Sequence, residues 1–174
     1  MICSFKGKSP RIADSAFVAE YVTIIGDVVI GEGSSIWFNT VIRGDLAPTT
    51  IGNDTNIQEN SVLHQSKDMP LIIEDEVTIG HGCVLHSAIV RKGALVGMGA
   101  TILDGAEIGE GSLIAAGSLV PPGKKIPANT LAVGNPVKII RELTEEDKAQ
   151  IIAGVNDYKE KAQIYKTMQN EAKE

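Results

Sequence analysis

The chain has 174 residues, a formal net charge of −6, only 4% aromatic residues and 18 glycines. This length fits one domain with a short appendage, and the scarcity of aromatic residues favours a core of stacked aliphatic side chains. The acidic balance argues against a protein devoted to nucleic acid, because phosphate binding needs a basic surface. Since no apolar run is long enough to span a membrane, we expect neither a nucleic-acid partner nor a membrane partner.

The two cysteines, Cys3 and Cys83, are too few for a disulfide framework. Residues 1–6 lack the charged segment and the long apolar stretch of a signal peptide. We therefore expect a cytoplasmic protein. Cys83 stands four residues after Ile79, at an inward-facing repeat position, so a place in the core is favoured over a role as metal ligand.

Aliphatic residues recur every six positions along most of the chain. They are Val18, Ile24, Ile30, Ile36, Ile42, Ile51, Ile57, Leu63, Ile73, Ile79, Leu85, Val90, Val96, Ile102, Ile108, Ile114, Val120 and Ile126. Each hexapeptide is predicted to form one short strand and a turn, so that three of them complete a triangular coil. The aliphatic side chains then stack inside, about 4.8 Å from their counterparts in the next coil. The pattern predicts an all-β parallel β-helix, because an antiparallel sandwich would need only a period of two.

Two insertions interrupt the six-residue period. Residues 45–50 separate Ile42 from Ile51, and residues 66–71 separate Leu63 from Ile73. Because both insertions contain proline and polar residues, we predict that they form protruding loops. In solenoid proteins such insertions often mark the functional face.

The last part of the chain has a different pattern. Thr144 followed by three acidic residues is typical of a helix N-cap. One helical face is then formed by apolar residues at Ile151, Val155, Tyr158, Ala162 and Tyr165. The sequence therefore predicts a helix over about 144–170, and divides the chain into a β-helix domain, 1–137, and a C-terminal segment, 138–174.

All three histidines of the chain, His64, His81 and His86, lie in the middle coils. Histidine is the commonest metal ligand among side chains. His64 and His86 each follow the aliphatic residue at the same position of successive coils, so they are predicted to stack on the outside of one face. His81 belongs to another face of the triangular prism, and one chain therefore cannot bring all three histidines together.

A trimer can complete the set of histidines. A neighbour packed around a three-fold axis would present its His81 to the pair formed by His64 and His86. Three imidazoles with at least one open position are the pattern of a catalytic metal site. The alternative, three scattered surface histidines, is less favoured because the three cluster at one level of the solenoid.

Other polar residues fall beside this predicted site. Arg43 lies in the same column as the stacked histidine pair, and Asp45 follows it by two residues. These two residues could form an interface salt bridge or act in catalysis, and the sequence leaves both possibilities open. Asn56 and Gln58 lie on the face that carries His81. Gln58 is interpreted either as a plain corner residue or as a side chain that holds metal-bound water.

Three segments carry a resemblance to a known family. They are Ile42-Arg43-Gly44-Asp45, residues 56–64 (Asn-Ile-Gln-Glu-Asn-Ser-Val-Leu-His) and residues 79–86 (Ile-Gly-His-Gly-Cys-Val-Leu-His). These segments look like the γ-class carbonic anhydrase family of hexapeptide-repeat proteins. The resemblance covers nearly the whole chain, including the C-terminal helix, and it implies that the coils wind left-handedly.

The resemblance also implies a metal and a reaction. Zn²⁺, or alternatively Fe²⁺ or Co²⁺, would be held by His64 and His86 of one subunit and His81 of the next subunit of a homotrimer. Metal-bound hydroxide would then attack CO2 and give bicarbonate, which is the reaction of a lyase. In this family resemblance, Arg43 and Asp45 shape the interface.

The resemblance further implies that Asn56 and Gln58 orient water or substrate, and that Tyr158 of the helix belongs to the active site. The chain departs from the family archetype at Leu46, where the archetypal enzyme has a glutamate, and in the short loop after His64, which contains no glutamate. The acidic loop with the proton-shuttle glutamate is therefore missing, and weak turnover is expected. The short loop is similar to that of the carnitine- and phenylacetate-operon hexapeptide proteins and the ferripyochelin-binding proteins.

Three other functions fit the same sequence features. The same hydroxide could hydrolyse an acyl-CoA, which would make the protein a metal-dependent thioesterase. Many hexapeptide proteins are acyltransferases that use a histidine base without a metal, although stacked histidines favour a metal. The segment at residues 133–136, Val-Gly-Asn-Pro, also occurs in acyltransferases and does not decide the question. The fourth possibility is a non-catalytic scaffold with a vestigial metal site.

Overall fold

The structure is a computed structural model that describes residues 1–172. Within these residues the chain forms twenty strands and one helix. The strands are β1 (Ile2–Cys3), β2 (Arg11–Ile12), β3 (Phe17–Val18), β4 (Thr23–Ile30), β5 (Ser35–Ile36), β6 (Val41–Ile51), β7 (Asn56–Ile57), β8 (Val62–His64), β9 (Leu71–Ile73), β10 (Thr78–Ile79), β11 (Val84–His86), β12 (Ile89–Val90), β13 (Leu95–Val96), β14 (Thr101–Ile102), β15 (Glu107–Ile108), β16 (Leu113–Ile114), β17 (Leu119–Val120), β18 (Lys125–Ile126), β19 (Thr130–Val133) and β20 (Lys138–Glu142). The helix, α1, spans Glu145–Glu171.

The strands wind into a parallel β-solenoid of about 7 turns, as the six-residue period predicts. Face one contains β8, β11, β14 and β17, and face two contains β9, β12, β15 and β18. Face three contains β3, β5, β7, β10, β13, β16 and β19. The longer strands β4 and β6 pass around the corner between face one and face two and pair in both.

The interior is filled by the aliphatic residues of the repeat. On face one the stacked residues Ile24, Ile42, Leu63, Leu85, Ile102 and Val120 are all fully buried. Burial of each such side chain contributes about 1.5–3 kcal/mol of hydrophobic free energy. Cys83 is buried in the same core, and this burial raises the pKa of its thiol to about 11. The predicted core position of Cys83 is confirmed.

Small polar residues share the interior with the aliphatic stack. Their hydroxyls are paired with the backbone of the next coil: Thr55 Oγ1 donates to the Glu74 carbonyl at 2.7 Å, and Ser61 Oγ donates to the Gly80 carbonyl at 3.2 Å. A buried hydroxyl without a partner would cost free energy. These hydrogen bonds therefore fix the spacing of neighbouring coils at the corners.

The corner between face three and face one needs a left-handed backbone in successive coils. The residues there have positive φ angles: Asn39 61°, Asn60 61°, Gly82 68°, Gly99 68° and Gly117 67°. Glycine and asparagine adopt this conformation at the lowest cost. This corner leads into β8 and β11, and therefore sets the direction from which the two histidine-bearing strands begin.

The first insertion protrudes as predicted, but it does so as a bulge within a strand and not as a separate loop. Strand β6 continues through residues 45–50, and both of its ends pair with β4, with a register shift between Gly26 and Val28. Residues 49–51 pair with β4, whereas the four residues 45–48 lie opposite Asp27 alone and bulge out of the ladder. The second insertion does leave the strands, since β8 ends at His64 and β9 begins at Leu71.

Helix α1 lies within one residue of its predicted range at each end. Thr144 caps its N-terminus in a capping box with Asp147. The predicted apolar face is turned inward, with Ile151, Val155 and Ala162 buried, and α1 packs on β3, β5, β7 and β10 of face three. In the part of the chain that the structure describes, no helix has the length and apolar character needed to cross a membrane.

The division of the chain at residue 137 stays a prediction. Strand β20 lies beyond that boundary and pairs antiparallel with β19, so the C-terminal segment begins as an added strand of face three. The six-residue period does not predict β20. Residues 173–174 of the predicted segment lie outside the described residues.

Candidate metal centre

His64 and His86 form a stacked pair on face one. Strands β8 and β11 pair in parallel with His64 directly opposite His86, which confirms the stacking predicted from the repeat. Each histidine follows an inward leucine, so strand alternation turns its side chain outward. Nδ1 of His64 lies 3.2 Å from Nε2 of His86.

A carboxylate lies on the other side of each ring. Oδ1 of Asp45 is 3.0 Å from Nε2 of His64, and Oδ1 of Asp104 is in hydrogen-bond contact with Nδ1 of His86. The Ser66 hydroxyl, and after it the His86 ring, lower the pKa of Asp104. An ionised carboxylate only accepts hydrogen bonds, so these contacts favour the tautomer of each ring that carries its N–H on the outer nitrogen.

When both rings are neutral in this tautomer, the two inner nitrogens both carry lone pairs. A neutral imidazole has one N–H and one lone pair, and in this tautomer the outer nitrogens of His64 and His86 carry the N–H. Two lone pairs 3.2 Å apart repel each other unless a proton or a cation lies between them. In a tetrahedral zinc site with Zn–N bonds of about 2.0–2.1 Å, two ligand nitrogens lie about 3.4 Å apart. The donor pair therefore fits a divalent metal ion that binds imidazole.

Arg43 belongs to the same group of residues. Its Nη1 donates to Oδ2 of Asp45 at 2.7 Å, while the other oxygen of Asp45 faces His64. The salt bridge that the sequence left open as an interface contact thus forms within one chain, beside the histidine pair. Asp45 is held on both sides, which fixes its position against the His64 ring.

His81 lies in the turn that follows β10 of face three, at the corner with face one. Its Nδ1 is 2.6 Å from Oε2 of Glu59, and its side chain is 44% exposed. Asn56 and Gln58 lie on the same face and are buried. Gln58 Nε2 donates to Oδ1 of Asn56 at 3.1 Å, and Asn56 Nδ2 donates to Oγ1 of Thr78 at 2.9 Å. The two amides are therefore fixed in one row next to the His81 strand.

Helix α1 places Tyr158 over this face. The ring of Tyr158 packs edge-on against Trp37, with centroids 5.3 Å apart and an angle of 87° between the rings. Burial, together with the negative charges of Glu59 and Asp157, raises the pKa of Tyr158 to about 12. Tyr158 is therefore neutral at physiological pH and lies close to the carboxylate that contacts His81.

The predicted site residues thus form two groups on two faces of the prism. We call Arg43, Asp45, His64 and His86 the pair group, and Asn56, Gln58, His81 and Tyr158 the single group. Among residues 1–172, no cluster of three or more His, Cys, Asp or Glu side chains is arranged to hold a metal ion. One chain brings together the members of each group but does not bring the two groups together.

Sequence reasoning missed three residues that contact the histidines or their partners: Glu59, Asp104 and Ser66. The separation of 22 residues that relates His64 to His86 also relates Glu59 to His81. Counting by coils could therefore have found Glu59. Asp104 lies 18 residues after His86, whereas the coil from β11 to β14 is 17 residues long, so exact coil counting misses Asp104 by one position. Ser66 lies in the second insertion, where the repeat gives no signal.

Comparisons with known proteins agree with this architecture. The family profile "Bacterial transferase hexapeptide (six repeats)" matches residues 9–44 and 87–122. A carbonic anhydrase of Geobacillus kaustophilus is 67% identical over 171 residues, covering 98% of this chain and 94% of that protein. Mitochondrial gamma carbonic anhydrase 1 of Arabidopsis thaliana is 43% identical, and the match covers 91% of this chain but 60% of the plant protein. The solved structure of a putative acetyltransferase from Bacillus cereus has a TM-score of 0.95 and 60% identity, covering 96% of this chain and 97% of that one.

Proposed function

The chain belongs to the γ-class carbonic anhydrase family of hexapeptide-repeat proteins, and from this premise we propose that it hydrates CO2 to bicarbonate at a metal centre shared between subunits of a homotrimer. The observation that carries the proposal is the pair of facing ring nitrogens of His64 and His86, 3.2 Å apart, with a carboxylate in contact with the outer nitrogen of each ring. The proposed reaction involves neither a nucleic-acid partner nor a membrane partner.

The ligands of the proposed metal centre are Nδ1 of His64, Nε2 of His86 and an imidazole nitrogen of His81 of the partner subunit. Since Glu59 contacts Nδ1 of His81, the Nε2 atom of His81 is available as a ligand. This donor set suits Zn²⁺, and Fe²⁺ or Co²⁺ also bind imidazole. When bound, such a metal supplies the Lewis-acid activation that makes hydroxide available from water near neutral pH.

Exposed apolar residues beside both groups support the trimer. On face one, Val62 and Val84 stand next to the histidine pair and are 41% and 39% exposed. Met98 follows face three one coil beyond His81 and is 57% exposed. Contact between face one of one subunit and face three of the next would cover these residues. Such a contact joins two different surfaces, and it closes into a ring of three subunits when each contact rotates the next subunit by a third of a turn.

The polar residues then have separate tasks at the proposed centre. Asp45, held by Arg43, accepts the outer N–H of His64 and keeps its Nδ1 free for the metal. The hydrogen bond from Gln58 to Asn56 orients both amides, and we assign Gln58 to hold the attacking water. Tyr158, neutral because of its raised pKa, offers a hydroxyl hydrogen at the CO2 side of the site.

The proton released by hydration leaves without the shuttle glutamate of the archetype. Leu46 occupies that place and is exposed. A cavity of about 380 Å³ beside Asp45, lined by Leu46, Lys6 and Asp68 among others, is open to buffer molecules. We propose that external buffer carries the proton, so that turnover rises with buffer concentration.

Stopped-flow measurement of CO2 hydration tests the proposal. Protein is loaded separately with Zn²⁺ and Fe²⁺, and the buffer concentration is varied. We expect buffer-dependent hydration that the His86→Ala variant abolishes. The Glu107→Ala variant, which changes a carboxylate on face two, is the matched control and should keep full activity. Absence of hydration at full metal occupancy would contradict the proposed function.

A second candidate, hydrolysis of an acyl thioester, is favoured by one observation. The cavity beside Asp45 has a volume of about 380 Å³ and apolar walls that include Ala47 and Pro48, and this space exceeds the needs of CO2. Release of free thiol from acyl-CoA by the metal-loaded protein, abolished in His86→Ala, would support this candidate. Acetyl transfer from acetyl-CoA that survives removal of the metal would instead indicate an acyltransferase. Metal binding with none of these activities would indicate a scaffold.

We also propose a cytoplasmic location. The two cysteines are free thiols, with Cys83 in the core and Cys3 half-buried on β1. Free thiols are typical of reducing compartments. Cell fractionation followed by detection of the protein with an antibody would test this location.

A further inference from the structure

We infer that Asp104 is a positioning residue of the metal centre, one that fixes the ring and the tautomer of His86. This inference rests on the proposed function, because it assumes that His86 is a ligand. Asp104 stands in the turn after β14, one coil beyond His86, and was not among the residues that the repeat or the family resemblance singled out. Its position and its two hydrogen bonds carry the inference.

Both carboxylate oxygens of Asp104 are engaged. Oδ1 accepts from Nδ1 of His86, and Oδ2 accepts from the Ser66 hydroxyl at 2.7 Å. The turn that holds Asp104 is itself tied to the coil of His86, because the Gly105 amide donates to the Ser87 carbonyl at 2.7 Å. Asp104 is therefore fixed from above and from below, and it points at the side of the His86 ring that faces away from His64.

Ser66 connects Asp104 to the other histidine. Ser66 lies two residues after His64, and its backbone N–H donates to Oγ of Ser87 at 2.7 Å. The Ser87 hydroxyl in turn donates to the Met69 carbonyl at 3.1 Å, so the loop after β8 is pinned to the coil of His86. The contacts form a closed circuit from His64 along the chain to Ser66, through Asp104 to His86, and back to His64.

This circuit has a direct consequence for metal binding. With its Nδ1–H committed to Asp104, the His86 ring keeps its lone pair on Nε2, the atom that faces His64. A carboxylate behind a ligating imidazole fixes the ring orientation and raises its basicity. Asp45 shares its charge with Arg43, whereas the second oxygen of Asp104 contacts a neutral hydroxyl. The full negative charge of Asp104 therefore acts on His86.

Metal affinity and the visible spectrum of the Co²⁺-loaded protein test the inference without reference to turnover. Zn²⁺ dissociation constants are measured by competition with a chromophoric chelator for the wild type and for Asp104→Ala, Asp104→Asn and Ser66→Ala. We expect Asp104→Ala to bind Zn²⁺ about 10–100-fold more weakly, with a changed Co²⁺ spectrum. Asp104→Asn keeps an oxygen that accepts from His86, and should restore the spectrum and most of the affinity.

Two control variants distinguish a positioning role from a general effect of lost surface charge. Glu107→Ala removes a carboxylate three residues away, on face two, where it pairs with Arg91 and Lys125, and should leave Zn²⁺ affinity unchanged. Wild-type affinity and spectrum in Asp104→Ala would overturn the positioning role, as would an equal loss of affinity in Glu107→Ala. Undiminished Zn²⁺ binding by His86→Ala would instead overturn the proposed metal centre, so the two failures are distinguishable.

Discussion

Replacement of Ile108 by alanine should destabilise the solenoid far more than replacement of its neighbour Glu107. Ile108 is fully buried on β15, stacked between Val90 and Ile126 in the adjoining coils. The change removes three carbons at about 0.8 kcal/mol each, which sets a lower limit near 2.4 kcal/mol. The neighbouring strands are held by hydrogen bonds of 2.9 Å on both sides, so the cavity cannot close, and we expect a total loss of about 3–4 kcal/mol.

Urea denaturation at one fixed protein concentration, followed by circular dichroism, measures this loss. Glu107→Ala is the matched control, because it changes the adjacent residue of the same strand and removes only partly exposed ion pairs with Arg91 and Lys125. Such surface pairs contribute about 1 kcal/mol or less. Both positions lie on face two, away from the histidines, so metal binding does not confuse the comparison. A loss for Ile108→Ala no larger than that for Glu107→Ala would refute the stacked-core reasoning.

Three further predictions follow from local contacts. Thr144→Ala removes the N-cap of α1 and should lower the free energy of unfolding by about 1 kcal/mol in urea denaturation, with no effect contradicting the capping assignment. Burial raises the pKa of Cys83 to about 11, so Cys83 in a Cys3→Ser background should react with a thiol reagent at pH 8 only after unfolding. Rapid reaction in the native state would contradict its place in the core. Tyr158, with a pKa of about 12 against an ordinary value of 10.0, should ionise near pH 12, and an ultraviolet titration of Tyr158→Phe should lack the absorbance change that the wild type shows there. Since its folded pKa is raised, its contribution to stability should be present below pH 10 and be lost between pH 10 and pH 12.

The repeat made the fold and the histidine pair predictable from the sequence. A period of six assigns the recurring aliphatic residue of each hexapeptide to the inside, and counting coils aligns His64 with His86, as the pairing of β8 with β11 confirms. The first insertion was predictable only in part, because the broken period marks the bulge at residues 45–48, whereas the pairing of residues 49–51 with β4 is a long-range effect. Local secondary-structure propensity does not show which distant strand a segment pairs with.

The contacts around the histidines were only partly predictable, for a different physical reason. Asp104 and Ser66 stand at corners and in an insertion, where the repeat does not determine where a side chain points. His81 can meet the pair group only across an interface with a second chain. The repeat of one chain does not determine how two chains pack. The family resemblance supplied that arrangement, and it stays a proposal that the mixing of subunits can test.

Subunit mixing between His81→Ala and His86→Ala tests the shared metal centre most directly. Alone, each variant lacks one ligand at every interface, so neither should hold tightly bound Zn²⁺. In trimers assembled from equal amounts of both, about one interface in four joins an intact pair group to an intact His81. We predict that tightly bound Zn²⁺ and CO2 hydration return to about a quarter of the wild-type values. If the mixture recovers neither, the three histidines do not meet between subunits, and the account of the site is contradicted.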